Sequence, residues 1–185
     1  MRELSLHILD ILENALAAGA TRVTLTILED SATDTLTITV TDDGCGMDEE
    51  TVQRVLDPFY TTRTTRHVGL GLPLLAAAAE RCGGGVTIES QVGQGTTVTA
   101  TFQLGHIDRA PLGDIGGSLI AFLLTCRLVD LAYLHWVDGR EFAFDTADLR
   151  AELGDVSLSH PAVWRWLREF IAEGESVLSP EQPST

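Results

Sequence analysis

The chain has 185 residues, 44% of them hydrophobic, and a formal net charge of −15; it fits one domain of common size plus a small appendage, with a core that needs no disulfide or metal staple. With no Lys and no basic stripe, it repels phosphate backbones, which excludes a nucleic-acid-binding role and means that any bound polyanion must be met by a local Arg cluster. Cys45, Cys82 and Cys126 are too widely spaced for a zinc site or a disulfide framework, no signal-peptide pattern opens the chain, and the later apolar run 119–124 is too short for a bilayer, so the expectation is a cytoplasmic protein with no membrane role.

Residues 3–18 predict a helix in which Leu4, Ile8, Ile11 and Ala15 form an apolar stripe, with Gly19 where such a helix ends. His7, Asp10 and Asn14 stand at i, i+3 and i+7 on the opposite face, which is expected to look into a cleft. Val23, Leu25 and Ile27 alternate with Thr, as do Leu36, Ile38 and Val40; they predict two strands joined by the polar turn 29–35. Asp48 is a candidate cap for a short helix running to about Leu56 and stopped by Pro58. A Thr-rich loop, 59–68, leads into a helix through Ala79 with Pro73 in its first turn, ended by Gly83-Gly84-Gly85. Strands 86–89 and 97–102 follow, joined by 92–95. The order α-β-β-α-α-β-β predicts a two-layer α/β sandwich, its sheet mixed but mainly antiparallel, with helices on one face.

Residues 105–117 carry four Gly and a Pro and read as a linker or docking loop. A helix at 118–128, a hairpin at Asp138-Gly139, and helices at 146–153 and 160–173 complete the expectation, the last with Ser159 and Pro161 as start signals. On this reading 1–104 is one domain, 105–178 a small α/β extension for docking or dimerisation, and 179–185 a disordered tail. Trp164 and Trp166 lie roughly 200° apart on the last helix. Val163, Leu167, Phe170 and Ile171 would pack inward, so one Trp is expected at the surface.

Four motifs carry the chemistry: Asp10-Ile-Leu-Glu-Asn14-Ala, Asp42-Asp43-Gly44-Cys45-Gly46-Met47, Gly69-Leu70-Gly71-Leu72 and Gly93-Gln94-Gly95-Thr96. Singly each has an ordinary reading: Asp10 and Asn14 as solvated helix residues, the Asp-Gly segment as a strand-to-helix turn, the glycines as turn formers. In this order and spacing they resemble the nucleotide-binding domain shared by gyrase, Hsp90, histidine kinases and MutL, the GHKL superfamily, over roughly residues 3–104. The resemblance implies the two-layer fold of that superfamily, with ATP and Mg²⁺ as ligands.

Residue by residue, the resemblance makes Asn14 a side-chain oxygen ligand of Mg²⁺, an ion that takes its remaining ligands from phosphates and water. Asp10, four residues earlier, falls where the ATPase branches carry a general base, and it could orient an attacking water or hydroxyl. Asp42 would accept a hydrogen bond from the adenine amino group, with Gly44, Gly46 and Met47 bringing the backbone close and Thr96 sharing the adenine water network. The segment 57–69, DPFYTTRTTR and beyond, resembles the ATP lid of some histidine kinases. Its Arg63 and Arg66, with His67, would gather positive charge onto phosphate oxygens, and Thr62 beside them would be a further nucleotide contact. Gly69, Leu70, Gly71 and Leu72 would open a helix whose amides face phosphate. His7 reads as a surface residue or a partner to Asp10, and alternatively as a phosphoacceptor.

No acceptor helices precede these motifs, and the chain has neither a transducer Lys nor the length for a transducer domain. The expectation is a standalone ATP-binding module, similar to histidine kinase catalytic domains and small anti-sigma-type kinases. It would be a partner-dependent kinase or ATPase that moves the γ-phosphoryl group to a protein acceptor in trans or to water. The alternative is a non-catalytic nucleotide sensor whose lid gates partner binding, and a homodimer is a further expected partner arrangement.

Overall fold

The first apolar stripe folds as helix α1 (Leu4–Ala17), with Leu4, Ile8, Ile11, Leu12 and Ala15 buried along one side. The helix ends as expected: the Gly19 N–H donates to the Leu16 carbonyl (3.0 Å) and the Ala20 N–H to that of Ala15 (3.1 Å), a pairing that satisfies two terminal carbonyls. The computed structural model describes residues 3–56, 71–125, 129–156, 158 and 160–178.

Strands β1 (Arg22–Asp30) and β2 (Thr35–Asp42) form the expected hairpin, burying Val23, Leu25, Ile27, Leu36, Ile38 and Val40 and turning their Thr residues to the other face. Asp48 caps the short helix α2 (Glu49–Arg54), accepting from the Thr51 N–H at 2.8 Å. Helix α3 (Gly71–Arg81) buries Leu72, Leu75, Ala76 and Ala79. Strands β3 (Gly85–Gln91) and β4 (Gly95–Gln103) pair with each other, and β4 pairs antiparallel with β2. The expected stop at Pro58 and the lid 57–69 lie outside the described residues, as do Cys126, Ser159 and the tail 179–185.

The loop after β4 turns back onto α1. The carbonyls of Pro111 and Leu112 accept from the Leu4 and Ser5 N–H groups at 3.0 and 2.8 Å, pairing donors that a helix start leaves open. Helix α4 (Ile115–Thr125) begins three residues before the expected 118 because Asp114 accepts the Gly117 N–H (2.7 Å) and supports a start that Gly116-Gly117 disfavours. Strands β5 (Asp130–Val137) and β6 (Arg140–Asp145) meet at the two-residue turn Asp138-Gly139, followed by α5 (Thr146–Leu153) and α6 (Pro161–Leu178). Along α6, Val163, Leu167, Ile171 and Leu178 are buried, while Trp166 is exposed and stacks on Phe170 with ring centroids 5.1 Å apart.

These elements make one six-stranded sheet, ordered β3-β4-β2-β1-β5-β6, in which only β1 and β5 run parallel. The sheet is mixed and mainly antiparallel, as the alternation predicts, and the segment after 104 extends it. In the parallel register Val23, Leu25 and Ile27 stand beside Leu131, Tyr133 and His135, so the buried side chains of both halves share one face. Asp138 ties the new hairpin to the old one, accepting from the Ser31 N–H (2.8 Å) and hydroxyl (2.7 Å).

Helix α6 is held to this face by a buried polar cluster. His135 is 4% exposed; its Nδ1 lies 3.0 Å from Glu175 of α6 and its Nε2 3.1 Å from Glu29 of β1. The Tyr133 hydroxyl donates to the other Glu175 oxygen at 2.7 Å. Burial alone would lower the His135 pKa, but hydrogen bonds to Glu175 and Glu29 outweigh it and raise the imidazolium to about 9. No helix of the described residues is long and apolar enough to cross a membrane.

Candidate functional site

Four separated segments converge on a cavity of about 590 Å³ between α1, α2, the start of α3 and the strand ends of the sheet. From the expected site residues it gathers Asn14, Asp42, Gly46, Met47, Leu72 and Thr96. Its remaining wall is mostly apolar, with Ile11, Ala15, Val55, Val92 and Val98 among the contributors. Helical periodicity explains the α1 side: Ile11, Asn14, Ala15 and Ala18 recur every three or four residues and so share one wall.

Asp42 ends β2 opposite Thr96 of β4, which places both side chains at one end of the sheet. Asp42 Oδ1 accepts the Gly44 N–H at 2.8 Å. Burial pushes its carboxyl pKa up, while backbone hydrogen bonds from Gly44 and Thr96 pull the other way. The adjacent Asp43 has a different occupation. It accepts from the Thr21 N–H (2.7 Å), the Thr21 hydroxyl (2.6 Å) and the Arg22 N–H (2.9 Å). Those bonds keep its pKa below the usual carboxylate range and spend it on bracing the α1–β1 turn.

Gly46 lines the cavity at φ +64°, and a Cβ there would fall 2.0 Å from the Gln91 carbonyl oxygen. The room it supplies is filled by the end of β3, so this glycine lets the loop cross the sheet edge. Gly44 is buried, and its side-chain space is bounded by Ala18 and Asp42. Met47 is fixed through its N–H, which donates to Ser90 Oγ at 2.8 Å. Ser90 also donates to the Gly95 carbonyl (2.9 Å) and stands 2.9 Å from the Thr96 hydroxyl. Ser90 thus orients both the Met47 loop and Thr96, a role with no sequence motif to reveal it. Cys45, also absent from the expectation as a ligand-facing residue, is exposed in the same wall.

The catalytic candidate lies to one side. Asp10 is half-buried and is not among the residues lining the cavity; a Cβ on Gly71 would meet Asp10 Cβ at 3.0 Å and Oδ2 at 3.1 Å. Gly71 therefore permits the first turn of α3 to lie directly against Asp10. His7, expected beside Asp10 on a cleft-facing surface, is 4% exposed and packed inside. Thr62, Arg63, Arg66, Gly69 and Leu70 lie outside the described residues. Among the described lining residues there is no cation, and Asp42 and Asp48 make the wall acidic. The described walls therefore suit a neutral aromatic ring with a donor edge, and a cation at Asn14, better than a bare polyanion.

The family model described as histidine kinase-, DNA gyrase B- and HSP90-like ATPase matches residues 2–106. The heme sensor protein HssS of Staphylococcus saprophyticus is 34% identical over 95 residues, covering 51% of this chain and 21% of that protein. The sensor histidine kinase ZraS of Salmonella typhi is 32% identical over 93 residues, covering 50% of this chain and 20% of that protein. The alignments thus span about a fifth of the length of these curated relatives. The crystal structure of the N-terminal domain of a DNA repair protein superposes with a TM-score of 0.55 at 12% identity, covering 77% of this chain and 52% of that one. At that identity the likeness concerns the fold.

Proposed function

The chain belongs to the histidine kinase-, DNA gyrase B- and HSP90-like ATPases, and from that premise we propose that it binds ATP with Mg²⁺ as a partner-dependent signalling kinase or ATPase. The observation that carries this reading is the convergence of Asn14, Asp42, Met47, Leu72 and Thr96, from four distant motifs, on one cavity. The lining suits the ligand. Apolar side chains from α1, from Val55 just after α2 and from β4 can sandwich a base, and Asp42, held by the Gly44 amide, offers an acceptor to an exocyclic amino group. Thr96, fixed by Ser90, offers a hydroxyl beside it.

One amide oxygen at Asn14 fits Mg²⁺, which keeps most of its shell in water and phosphate; the bound ion would neutralise charge on the transferring phosphoryl group. Arg63 and Arg66 are proposed to supply the remaining positive charge to the phosphates. Asp10 is proposed to orient the attacking water or acceptor hydroxyl and take up its proton. The acceptor is proposed to be a protein in trans, meeting the segment 105–178, where Trp166 stands exposed. Cytoplasmic residence and a homodimer belong to the same proposal.

A second reading, a nucleotide sensor without catalysis, is favoured by one observation: Asp10 packs on Gly71 beside the cavity and does not line it. Incubation with labelled ATP and Mg²⁺, alone and with proteins captured from the native lysate, separates the two. ADP or phosphoprotein that disappears in Asp10→Asn supports catalysis. Tight ATP binding with neither product, with and without partner, sinks the enzyme reading, and absence of ATP binding sinks both.

A further inference from the structure

Strand β3 is one edge of the sheet, and among the described residues no strand pairs with its outer side. A second cavity, of about 530 Å³, lies along it and is lined by four consecutive strand residues, Ile88, Glu89, Ser90 and Gln91. Successive side chains of a strand point to opposite faces, so a space touched by all four lies beside the strand and not over either face. With β4 on the inner side, the cavity sits against the outer backbone row. The loop after β2 closes one end of that row: the Cys45 carbonyl accepts from the Gly93 N–H at 2.8 Å, and the Met47 N–H donates to Ser90 Oγ at 2.8 Å. The chain then turns away into α2 and leaves the rest of the β3 edge open.

The helix above this edge is also incompletely packed. A surface helix ordinarily buries one face, yet α2 has no buried residue. Its Val52 lines the cavity together with Met47, Ile88 and Val92, the last 66% exposed. An added strand would find main-chain partners on β3 and apolar contacts for alternate side chains under α2. The rim chooses the occupant. Asp48, Glu49 and Glu89 line the cavity, with no cation among its described lining residues. A second copy set edge to edge would bring the same carboxylates together, whereas Lys or Arg on an incoming strand would meet them favourably. We propose that the β3 edge receives an extended segment of a partner protein, with apolar and basic residues in alternation, by strand addition. The groove shares Met47, Asp48 and Val92 with the nucleotide cavity but does not rest on what that cavity holds.

The test uses the full chain and three synthetic eight-residue peptides: alternating Val and Arg, the same peptide with every backbone amide N-methylated, and alternating Val and Glu. Fluorescence anisotropy at physiological salt should give the Val-Arg peptide a Kd of roughly 10–100 µM, at least about tenfold tighter than its N-methylated analogue, with no binding of the Val-Glu peptide. Amide exchange of residues 85–91 should slow when the Val-Arg peptide binds. Glu49→Arg and Glu89→Arg, both at exposed positions, should melt with the wild type and weaken the peptide roughly three- to tenfold. Glu152→Arg, an exposed acid on α5 at the other side of the sheet, should bind as the wild type does. No binding, or equal affinity for the peptide and its N-methylated analogue, overturns the proposal, the latter because charge alone then accounts for the contact. Unchanged exchange at 85–91 in the bound protein overturns it too. Slow exchange there without peptide, in a chain that light scattering shows to be dimeric, gives the edge to a second copy and refutes the basic partner.

Discussion

Raising the pH from 6.5 to above 9 should weaken the fold by about 3 kcal/mol through one side chain. His135 sits between Glu29 and Glu175, one ring nitrogen on each carboxylate, and its pKa rises from 6.5 to about 9. A folded-state pKa above the unfolded one means the native protein holds the proton more tightly. The stabilisation is therefore complete below pH 6.5 and is lost as pH climbs through 9. At about 1.4 kcal/mol per tenfold change in proton affinity, the difference corresponds to about 3 kcal/mol. A chain of this size should lose roughly 6–12 °C in melting temperature. The loss has a structural cause: a neutral ring has one N–H, so one of the two half-buried carboxylates then faces a lone pair. Melts followed by circular dichroism at half-unit steps from pH 6 to 10 measure the curve. His135→Gln, uncharged throughout, should start less stable and stay flat over the same window. The difference between the two curves isolates His135 from the other titrating groups. Parallel curves for wild type and variant between 6.5 and 9 would refute the reasoning.

Two further expectations concern the cavity. Asp42→Asn should leave melting temperature almost unchanged, since the amide oxygen can still accept from Gly44 and burial already disfavours the charge. ATP affinity by calorimetry should nevertheless fall roughly 10- to 150-fold, the worth of a hydrogen bond to a charged acceptor of about 1.5–3 kcal/mol; a change under twofold would remove Asp42 from the adenine contact. Cys45, exposed in the cavity wall, should be alkylated by N-ethylmaleimide and protected about tenfold by ATP at ten times its Kd. Peptide mass spectrometry reads this at Cys45, and equal rates with and without ATP would place the nucleotide elsewhere.

Much of the fold is legible in the sequence because periodicity states which side of an element is buried. Leu4, Ile8, Ile11 and Ala15 predict α1, and the Thr alternation predicts β1 and β2; all lie as expected. Alternation does not say which strand a hairpin will join, so the parallel seating of β5 beside β1 is invisible in the pattern. Within the cavity, Asp42 and Thr96 are legible through their motifs. The division of labour between Asp42 and Asp43 is not, because it depends on which carboxylate the Thr21 and Arg22 amides reach. Ser90 sits at the end of an ordinary strand and acquires its role only when Met47 and Thr96 arrive beside it. His7 reads as polar on a polar face. The face is in fact covered where α3 crosses it, and spacing along α1 carries no information about α3.

The parallel pairing of β1 with β5 has a consequence for anyone who would shorten this chain. The family match ends at residue 106, so a fragment cut there would carry all four recognised motifs. It would also uncover the whole outer row of N–H and C=O groups on β1, from Arg22 to Glu29, that β5 now covers. A long, flat strand opened in that way is a template for another copy of itself. Such a fragment should gather into soluble or insoluble clusters through strand addition, and its ATP affinity would then report on self-association as much as on the cavity. The last eighty residues, whatever else they meet, cover the β1 edge of the ATPase fold with a strand of the same chain.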